Sequence, residues 1–321
     1  MLLAPLMRIL ADGAFHSGSE LGRTLGLSRS GVWKQMQRLQ ALGVEVYSVK
    51  GRGYRIPAGL DLLDEKELVR QLPEHARQHL ERLEVMMETD STNSRALEAM
   101  RAGLRSGLFV AEFQHSGRGR RGRRWISPLG SSLCFTLAWR FESGAAALEG
   151  LSLAVGLALQ RALERAGVAH IQLKWPNDLL VADAKLGGIL IELSGDAAGE
   201  CQVAIGIGLN LRLPETVVEQ LDQPCTDLAR LGYHGGRTHL LAQLVTDLID
   251  MVQRFEVSGF APLRPAWEAV NAFRGRKVAL IWGPHRREGV CLGVTDQGRL
   301  RLQTPAGQEE FHSGEMSVRL Q

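Results

Sequence analysis

Gly117-Arg118-Gly119-Arg120-Arg121-Gly122-Arg123-Arg124-Trp125 holds five arginines and three glycines between two runs that read as strands, Leu108 to Gln114 and Ser131 to Phe141. Glycines leave the backbone free to wrap closely around a ligand. Arginines present planar forks of donors suited to phosphate or carboxylate. By itself such a loop reads three ways: an RNA- or DNA-binding arm, an anion-binding active-site loop, or a solvated loop. Its setting favours the second. A charged nucleic-acid arm is commonly terminal, whereas this loop is pinned between two sheet strands, as a lid that orders over ligand would be.

Upstream, Arg82 to Glu88 reads as a strand. It runs out into Asp90-Ser91-Thr92-Asn93, ahead of a helix with Leu97 and Met100. One short polar residue suffices for an N-cap; several in a row also suit a polar pocket wall. Downstream, Leu148, Leu151, Val155, Leu159 and Leu163 recur at helical spacing. Ile171, Leu173 and Trp175 alternate along a strand ending in Lys174-Trp175-Pro176-Asn177-Asp178. Lys185-Leu186-Gly187-Gly188-Ile189-Leu190-Ile191-Glu192 follows. In the strand Val203 to Asn210, bulky residues alternate with Ala204, Gly206, Gly208 and Asn210. One face therefore packs on a core; the other is bare backbone, open to a flat ligand. Lys185 is either a surface lysine at a strand start or, before its glycine pair, a group placed for chemistry.

The first sixty residues carry eight basic residues against three acids, a larger excess than the net +3 of all 321 residues. Leu2, Leu6, Ile9 and Leu10 make a helical stripe ending at Gly13. Ser17-Gly18-Ser19-Glu20 reads as a capping box for a second helix with Leu21 and Leu25. After the turn Gly26-Leu27-Ser28, a third helix buries Val32, Met36 and Leu39 and stops at Gly43. Two helices joined by a three-residue turn are a helix-turn-helix. An alternating hairpin from Val44 to Ile56, tipped by Lys50-Gly51-Arg52-Gly53, makes it a winged helix. Arg29, Ser30, Trp33, Lys34 and Gln37 lie on the outer face of the third helix, where base edges are read. Lys50 and Arg52 on the wing would reach phosphates. The bland alternative is a winged helix used for protein contact.

Apolar residues are 45% and charged residues 23%, ordinary for a globular chain. Cys134, Cys201, Cys225 and Cys291 are scattered, without zinc-ligand spacing, and read as reduced thiols. His75 and His79 share a helix face but have no third ligand beside them. Pro5 and Arg8 break the N-terminal leucines, so no signal peptide is expected, and no apolar run of membrane-spanning length is seen. A cytoplasmic location follows as an expectation, with no membrane partner. Asp64 to Leu83 reads as a charged helical stretch after a linker, and Pro214 to Leu231 as helix and turn. Leu240 to Phe255 is a strong amphipathic helix. From about Phe273 short strands take over: Lys277 to Trp282, Gly289 to Thr295, Leu300 to Thr304 and Gln308 to Phe311, with Asp296-Gln297-Gly298 as a turn.

Five motifs, in this order and spacing, resemble the biotin–protein ligases: DSTN at 90–93, FQHSGRGRRGRRW at 113–125, KWPND at 174–178, KLGGILIE at 185–192 and GIGLN at 206–210. The winged helix makes the chain similar to the bifunctional bacterial type, ligase and biotin operon repressor in one. The resemblance implies an α+β multidomain fold: a winged helix over 1–60, a mixed α/β catalytic domain like those of class II synthetases over 64–271, and an SH3-like β-barrel over 272–321. It implies that ATP activates biotin to biotinyl-5′-adenylate, and that a lysine of the biotin carboxyl carrier protein then takes the acyl group. By the same resemblance Ser91, Thr92, Asn93 and Gln114 hold the biotin head group. Gly117, Arg118, Gly119, Arg120 and Arg121 close over carboxylate and phosphates, and Trp125 packs on the nucleotide side. Lys185 sits by the reacting carboxylate and α-phosphate. Asn177 and Asp178 belong to the nucleotide and Mg²⁺ region, with Asp178 a candidate base for the carrier lysine. Gly188, Gly206 and Gly208 give close backbone approach, and Asn210 and Arg319 complete the set. Operator DNA and a homodimer formed with the adenylate as corepressor are the further partners implied. Two competing readings stay open: a DNA-binding regulator that only senses a small molecule, and a lipoate ligase, which shares the chemistry and the fold.

Overall fold

A computed structural model describes residues 3–57, 59–195, 199–314 and 316–320. The first helix, α1 (Leu3–Leu10), buries Leu3, Leu6, Met7 and Leu10. The expected stripe thus turns toward Leu3 and Met7 rather than Ile9, and Leu2 lies outside the described residues. Helix α2 (Gly18–Leu25) starts where Ser17 Oγ accepts from the Glu20 amide, the first half of the expected capping box. Helix α3 (Arg29–Ala41) is capped by Ser28, and Gly43 takes the left-handed conformation that ends it. The wing is shorter than its alternation suggested: β1 (Tyr47–Val49) pairs with β2 (Gly53–Arg55). Tyr54 exchanges two backbone hydrogen bonds with His16, which ties the wing to the α1–α2 connection.

The expected helix at 64–83 is two short ones, α4 (Glu65–Gln71) and α5 (Glu74–Gln78), because Pro73 cannot continue a helix. Strand β3 (Arg82–Thr89), helix α6 (Thr92–Arg101), strands β4 (Ser106–Gln114) and β5 (Ser132–Phe141), and helix α7 (Leu151–Arg165) follow. The strand expected through Trp175 stops at β6 (Gln172–Lys174). The chain turns at residues 175–177 and returns as β7 (Asp178–Val181), β8 (Ala184–Gly195) and β9 (Cys201–Asn210). Of the helix expected at 214–231 only one turn forms, α8 (Glu215–Val218). Helices α9 (Arg237–Ser258) and α10 (Arg264–Ala269) close the central unit.

Its sheet runs β3-β4-β5-β9-β8-β7-β6, parallel only between β3 and β4. Both faces are covered, which is why β4 and β5 read as near-continuous apolar runs. Phe109 packs with Ala96, Ala99 and Met100 of α6; Leu108, Val110, Phe135 and Leu137 join the larger core with α7 and α9. The segment Ala145–Arg165 is long and apolar enough to cross a bilayer by length and composition, but 67% of its apolar window is buried here. It is a core helix of this unit.

Strands β10 (Lys277–Trp282), β11 (His285–Val294), β12 (Leu300–Thr304), β13 (Gly307–Phe311) and β14 (Ser317–Leu320) form the C-terminal antiparallel sheet, in the order β13-β12-β11-β10-β14. This is the expected small β domain with one added strand. Strand β14, not foreseen, pairs with β10 and carries Arg319 opposite Ala279.

The chain between the winged helix and the sheet is held by a buried ion pair. Arg237, at the start of α9, donates to Glu112 at 2.7 Å and to the Asp61 carbonyl at 2.6 Å, and Glu112 accepts from the Leu63 amide at 2.6 Å.

Candidate active site

One pocket, enclosing about 1230 Å³ with part of it open to solvent, collects the ends of β4, β6, β7, β8 and β9, the start of α6 and the arginine loop. At one group of walls lie Ser91, Thr92, Asn93 and Gln114. The first three are buried, and Ser91 makes no side-chain cap bond, so the polar run is more than an N-cap. A hydrogen-bonded chain orders them. Thr136 Oγ1 lies 2.6 Å from Asn93 Oδ1 and 2.8 Å from Thr92 Oγ1, and Gln114 Oε1 accepts from the Thr92 amide at 2.8 Å. A hydroxyl has one proton to give, and a carbonyl oxygen only accepts. Thr136 therefore donates to Asn93. Asn93 in turn gives its amide hydrogens to the Leu190 carbonyl at 3.1 Å and to Glu192 at 2.7 Å. Its polar atoms are committed to the protein. Among the described residues the Ser91 hydroxyl has no hydrogen bond within the protein and is left to meet a ligand, while the Gln114 side chain lies against the Cys134 thiol.

The bare face of β9 is not bare. A Cβ at Gly206 would run into the Asn93 amide, and one at Gly208 into the Trp125 ring. The glycines make room for those two side chains, which then wall the pocket. This corrects the expectation that a ligand would lie on the main chain there. The Trp125 indole N–H is buried beside the Cys134 thiol, with no oxygen or nitrogen partner among the described residues, and Lys185 Nζ lies 5.8 Å from the ring centroid.

The remaining walls are cationic. Asp178 is gripped from both sides, by Lys185 at 2.6 Å and Lys174 at 3.1 Å, with all three side chains largely buried. Burial pushes the Asp178 carboxyl up, but the two ammonium groups outweigh it and hold it below the usual carboxylate range. A carboxylate so held is a weak proton acceptor, which removes the basis for Asp178 as the base. Burial lowers the Lys174 ammonium, against the pull of Asp178. Asn177 donates to the Ile189 carbonyl at 2.8 Å and accepts from Arg120 at 3.3 Å. Asn210 donates to the Thr226 carbonyl at 3.0 Å and lies 3.3 Å from that of Lys185, so it braces the wall.

The arginine loop closes on itself. Trp125 N donates to Gly117 O at 2.9 Å and Gly119 N to Arg123 O at 2.7 Å. Arg121 sits at its tip with φ of 60°, a left-handed conformation unusual for arginine. Arg120 reaches across to the Ser313 and Gly314 carbonyls of the C-terminal domain, and burial lowers its guanidinium. Arg118 does not point at the cationic walls: it donates to Ser94 at 2.9 Å and pairs with Glu192 at 3.1 Å. Arg319 is half-buried, donates to Gln223 at 3.4 Å and feels Arg123, Asp178 and Arg121. Gly188 lies against Lys185 and Asp178. The residues missed by sequence reasoning are Thr136, Lys174 and Glu192. A lone threonine in an apolar strand carries no signal, whereas Lys174 and Glu192 stood inside quoted motifs.

Well before this pocket in sequence, the outer face of α3 exposes Arg29, Ser30, Trp33, Lys34 and Gln37, and the wing exposes Lys50 and Arg52. Arg52 stacks on Phe15 at 4.3 Å, so part of the wing's charge is already oriented. Among the described residues no cluster of three or more His, Cys, Asp or Glu could hold a metal ion.

Comparison with known proteins agrees at each level. Residues 86–210 match the biotin/lipoate A/B protein ligase family, residues 4–55 an HTH domain, and residues 286–319 the biotin protein ligase C-terminal domain. The bifunctional ligase/repressor BirA of Escherichia coli is 38% identical over 315 residues, covering 98% of this chain and 96% of that protein. That of Bacillus subtilis is 29% identical over 316 residues, 96% of this chain and 95% of its own. The solved biotin protein ligase from Aquifex aeolicus, in complex with biotin and ATP, superposes with a TM-score of 0.65 at 28% identity. It covers 75% of this chain and 100% of that one. A pocket with a polar and a cationic side, a winged helix in front and a small β domain behind, with relatives alike over nearly the whole length, show that the chain belongs to the biotin–protein ligase family, in its bifunctional ligase/repressor branch.

Proposed function

We propose that the pocket between α6, β9 and the arginine loop binds biotin and ATP together, its uncharged polar wall taking the head group and its cationic wall the carboxylate and phosphates. The protein is an ATP-dependent biotin–protein ligase that also carries a DNA-binding repressor domain. One observation carries the site assignment: a single pocket has Ser91 and Gln114 on one side and Lys185, Arg120 and Arg121 on the other, with Trp125 beside both.

The mechanism follows from that layout. In the first step a biotin carboxylate oxygen bonds to the α-phosphorus of ATP and the bond to pyrophosphate breaks. Negative charge builds on the α-phosphate and on the leaving group. Lys185, Arg120, Arg121 and Arg319 supply fixed positive charge there, in a partly desolvated site where it counts for more than in water. Asp178 serves to aim Lys185 rather than to take a proton. In the second step the neutral amine of a carrier lysine attacks the acyl carbon, the bond to AMP breaks, the nitrogen gives up a proton to water or the departing phosphate, and an amide forms. A lysine near pKa ~10.4 is neutral only about one part in 10³ to 10⁴ at pH 7, roughly 4–5 kcal/mol, so a dry approach to the pocket helps. Mg²⁺ fits as an ion carried by the phosphates, whose charge it neutralises when bound. Asp178 is the one carboxylate lining the pocket among the described residues, and both its oxygens are taken by lysines.

The arginine loop then retains the mixed anhydride away from water. The biotin carboxyl carrier protein is the acceptor, and the work is cytoplasmic. With the adenylate bound as corepressor, a homodimer presents two winged helices to operator half-sites.

The test is to mix the protein with ATP, Mg²⁺, biotin and a carrier domain and follow the carrier's intact mass. A biotin-sized gain at one lysine is expected, with lipoate and octanoate inactive. Transfer of either of those instead would move the reading to another acyl ligase, and no transfer at all would leave a regulator that only senses its ligand.

A further inference from the structure

Glu192 lies just outside the pocket lining, behind Asn93 and Arg118, which do line it. It projects from β8, where its backbone pairs with Ala204 of β9 in the middle of the sheet. One of its oxygens accepts from the Asn93 amide at 2.7 Å, and Arg118 NH2 reaches both, at 3.2 and 3.1 Å. Arg118 is fixed further by Ser94 at 2.9 Å. Arg118 also belongs to the neck of the arginine loop: it bridges Arg124, and the bonds from Trp125 to Gly117 and from Gly119 to Arg123 close that neck. The chain entering the neck is held by backbone bonds from His115 to Thr89 and from Ser116 to Asp90, both 2.9 Å, and beyond them its side-chain tethers help to decide where it sits. The tip has its own tether, Arg120 on the Ser313 and Gly314 carbonyls.

A carboxylate beside a pocket for anionic substrates repels them unless a cation neutralises it at contact distance. Arg118 does that. With NH1 on Ser94 and NH2 on Glu192, its two terminal nitrogens are already engaged, so a two-pronged grip of both on a ligand carboxylate would compete with these contacts. From this geometry we propose that Glu192 is a positioning residue: it pins the neck of the arginine loop, through Arg118, to the wall that holds the acyl head group, and so sets how long the acyl-adenylate is retained. Anion contact falls to Arg120, Arg121 and Lys185. Because Glu192 also orients Asn93, one residue ties the loop to the polar chain of Thr136, Thr92 and Gln114. This inference rests on the ligase reading above.

Glu192→Gln separates the two bonds. A glutamine oxygen can still accept from Asn93, while Arg118 loses the charge and one of its two acceptor oxygens and keeps at most a neutral bond to the other. In E192Q, biotinyl-5′-adenylate should dissociate about tenfold faster, about 1.4 kcal/mol, and bystander lysines should be labelled. The first-turnover rate of pyrophosphate release at saturating biotin and ATP should change much less than dissociation does, while steady pyrophosphate release without carrier should rise with the faster dissociation. Glu192→Asp keeps the charge on a shorter arm and should lie between the two; it serves as well if E192Q proves too unstable to assay. Arg118→Gln should speed dissociation similarly, and the double variant should add little, since both act on one contact. Retention unchanged in E192Q, or effects of the two substitutions that add, would overturn the proposal while leaving the ligase reading intact. A parent that makes no adenylate would overturn both.

Discussion

Gly206 shows how narrowly a single position is determined. Its missing side chain is the space the Asn93 amide occupies, and Asn93 has no other way to lie flat on β9 while reaching Thr136, Leu190 and Glu192. Gly206→Ala should therefore destabilise the fold by about 1–3 kcal/mol, as overpacked sites do, and weaken biotin binding tenfold or more; denaturant unfolding and calorimetry check the two effects. At Asp178 the argument is electrostatic. Its carboxyl is held below the ordinary value because Lys185 and Lys174 outweigh burial. A group depressed on folding contributes stability that is present above the unfolded value of about 4 and lost as pH falls through the folded one. Stability measured against pH should thus fall on the acid side below about pH 4, and Asp178→Asn should flatten that limb. An unchanged acid limb would show that the pair contributes nothing.

The arginine loop behaves as an element although it has almost no regular structure. It is closed at its neck, strained at Arg121 and fastened at its tip to the C-terminal domain by Arg120. Arg120→Gly removes the tip contact and a cation from the pocket. The variant should still form the adenylate but release it early, so that lysines on bystander proteins are labelled. If only the carrier is modified, the loop does not act as a lid. The α3 helix is a second element with one task. Its inner face, Val32, Met36 and Leu39, is buried and its outer face is solvated. Lys34→Ala should weaken binding to a duplex and lower the slope of log affinity against log salt by about one, as loss of one phosphate contact does. A slope unchanged by the substitution would place Lys34 away from the backbone of the nucleic acid.

Across the whole molecule, the winged helix meets the central unit directly through Arg38 on Glu88 at 2.7 Å and Leu129 in its core, and the segment leaving it is clamped by the Arg237–Glu112 pair. It is buried on both sides and fastens residues 61–63 to α9 and to β4, whose end carries Gln114. The segment that reads as a linker is therefore clamped and not a loose tether. Removing one partner of a buried pair leaves the other uncompensated, at a cost of about 3–5 kcal/mol. Arg237→Met should show that loss in urea unfolding, and the double change Arg237→Met with Glu112→Leu should recover part of it. A single variant as stable as the parent would mean that the buried pair adds nothing to the clamp.

Much of this molecule was legible before folding. Apolar spacing marked α3, α9, β4, β5 and β9, because burial of one stripe or of both faces leaves a periodic trace in local sequence. Five short motifs marked the pocket walls, because the polar and cationic residues stand together in the chain. Boundaries set by tertiary contact were not legible: the break at Pro73, the early end of β6, and β14, whose four residues form a strand only because β10 offers an open edge. Roles were still less so. Asn93 and Arg118 look like ligand contacts in sequence, yet Glu192 and Thr136 claim their hydrogen bonds in the fold. Asp178 looks like a base until two lysines are seen to hold it. The chain by itself determined which residues meet around the pocket. Which of them face a ligand and which face one another was decided by the tertiary structure, since a donor's partner depends on distances between segments that the sequence keeps far apart.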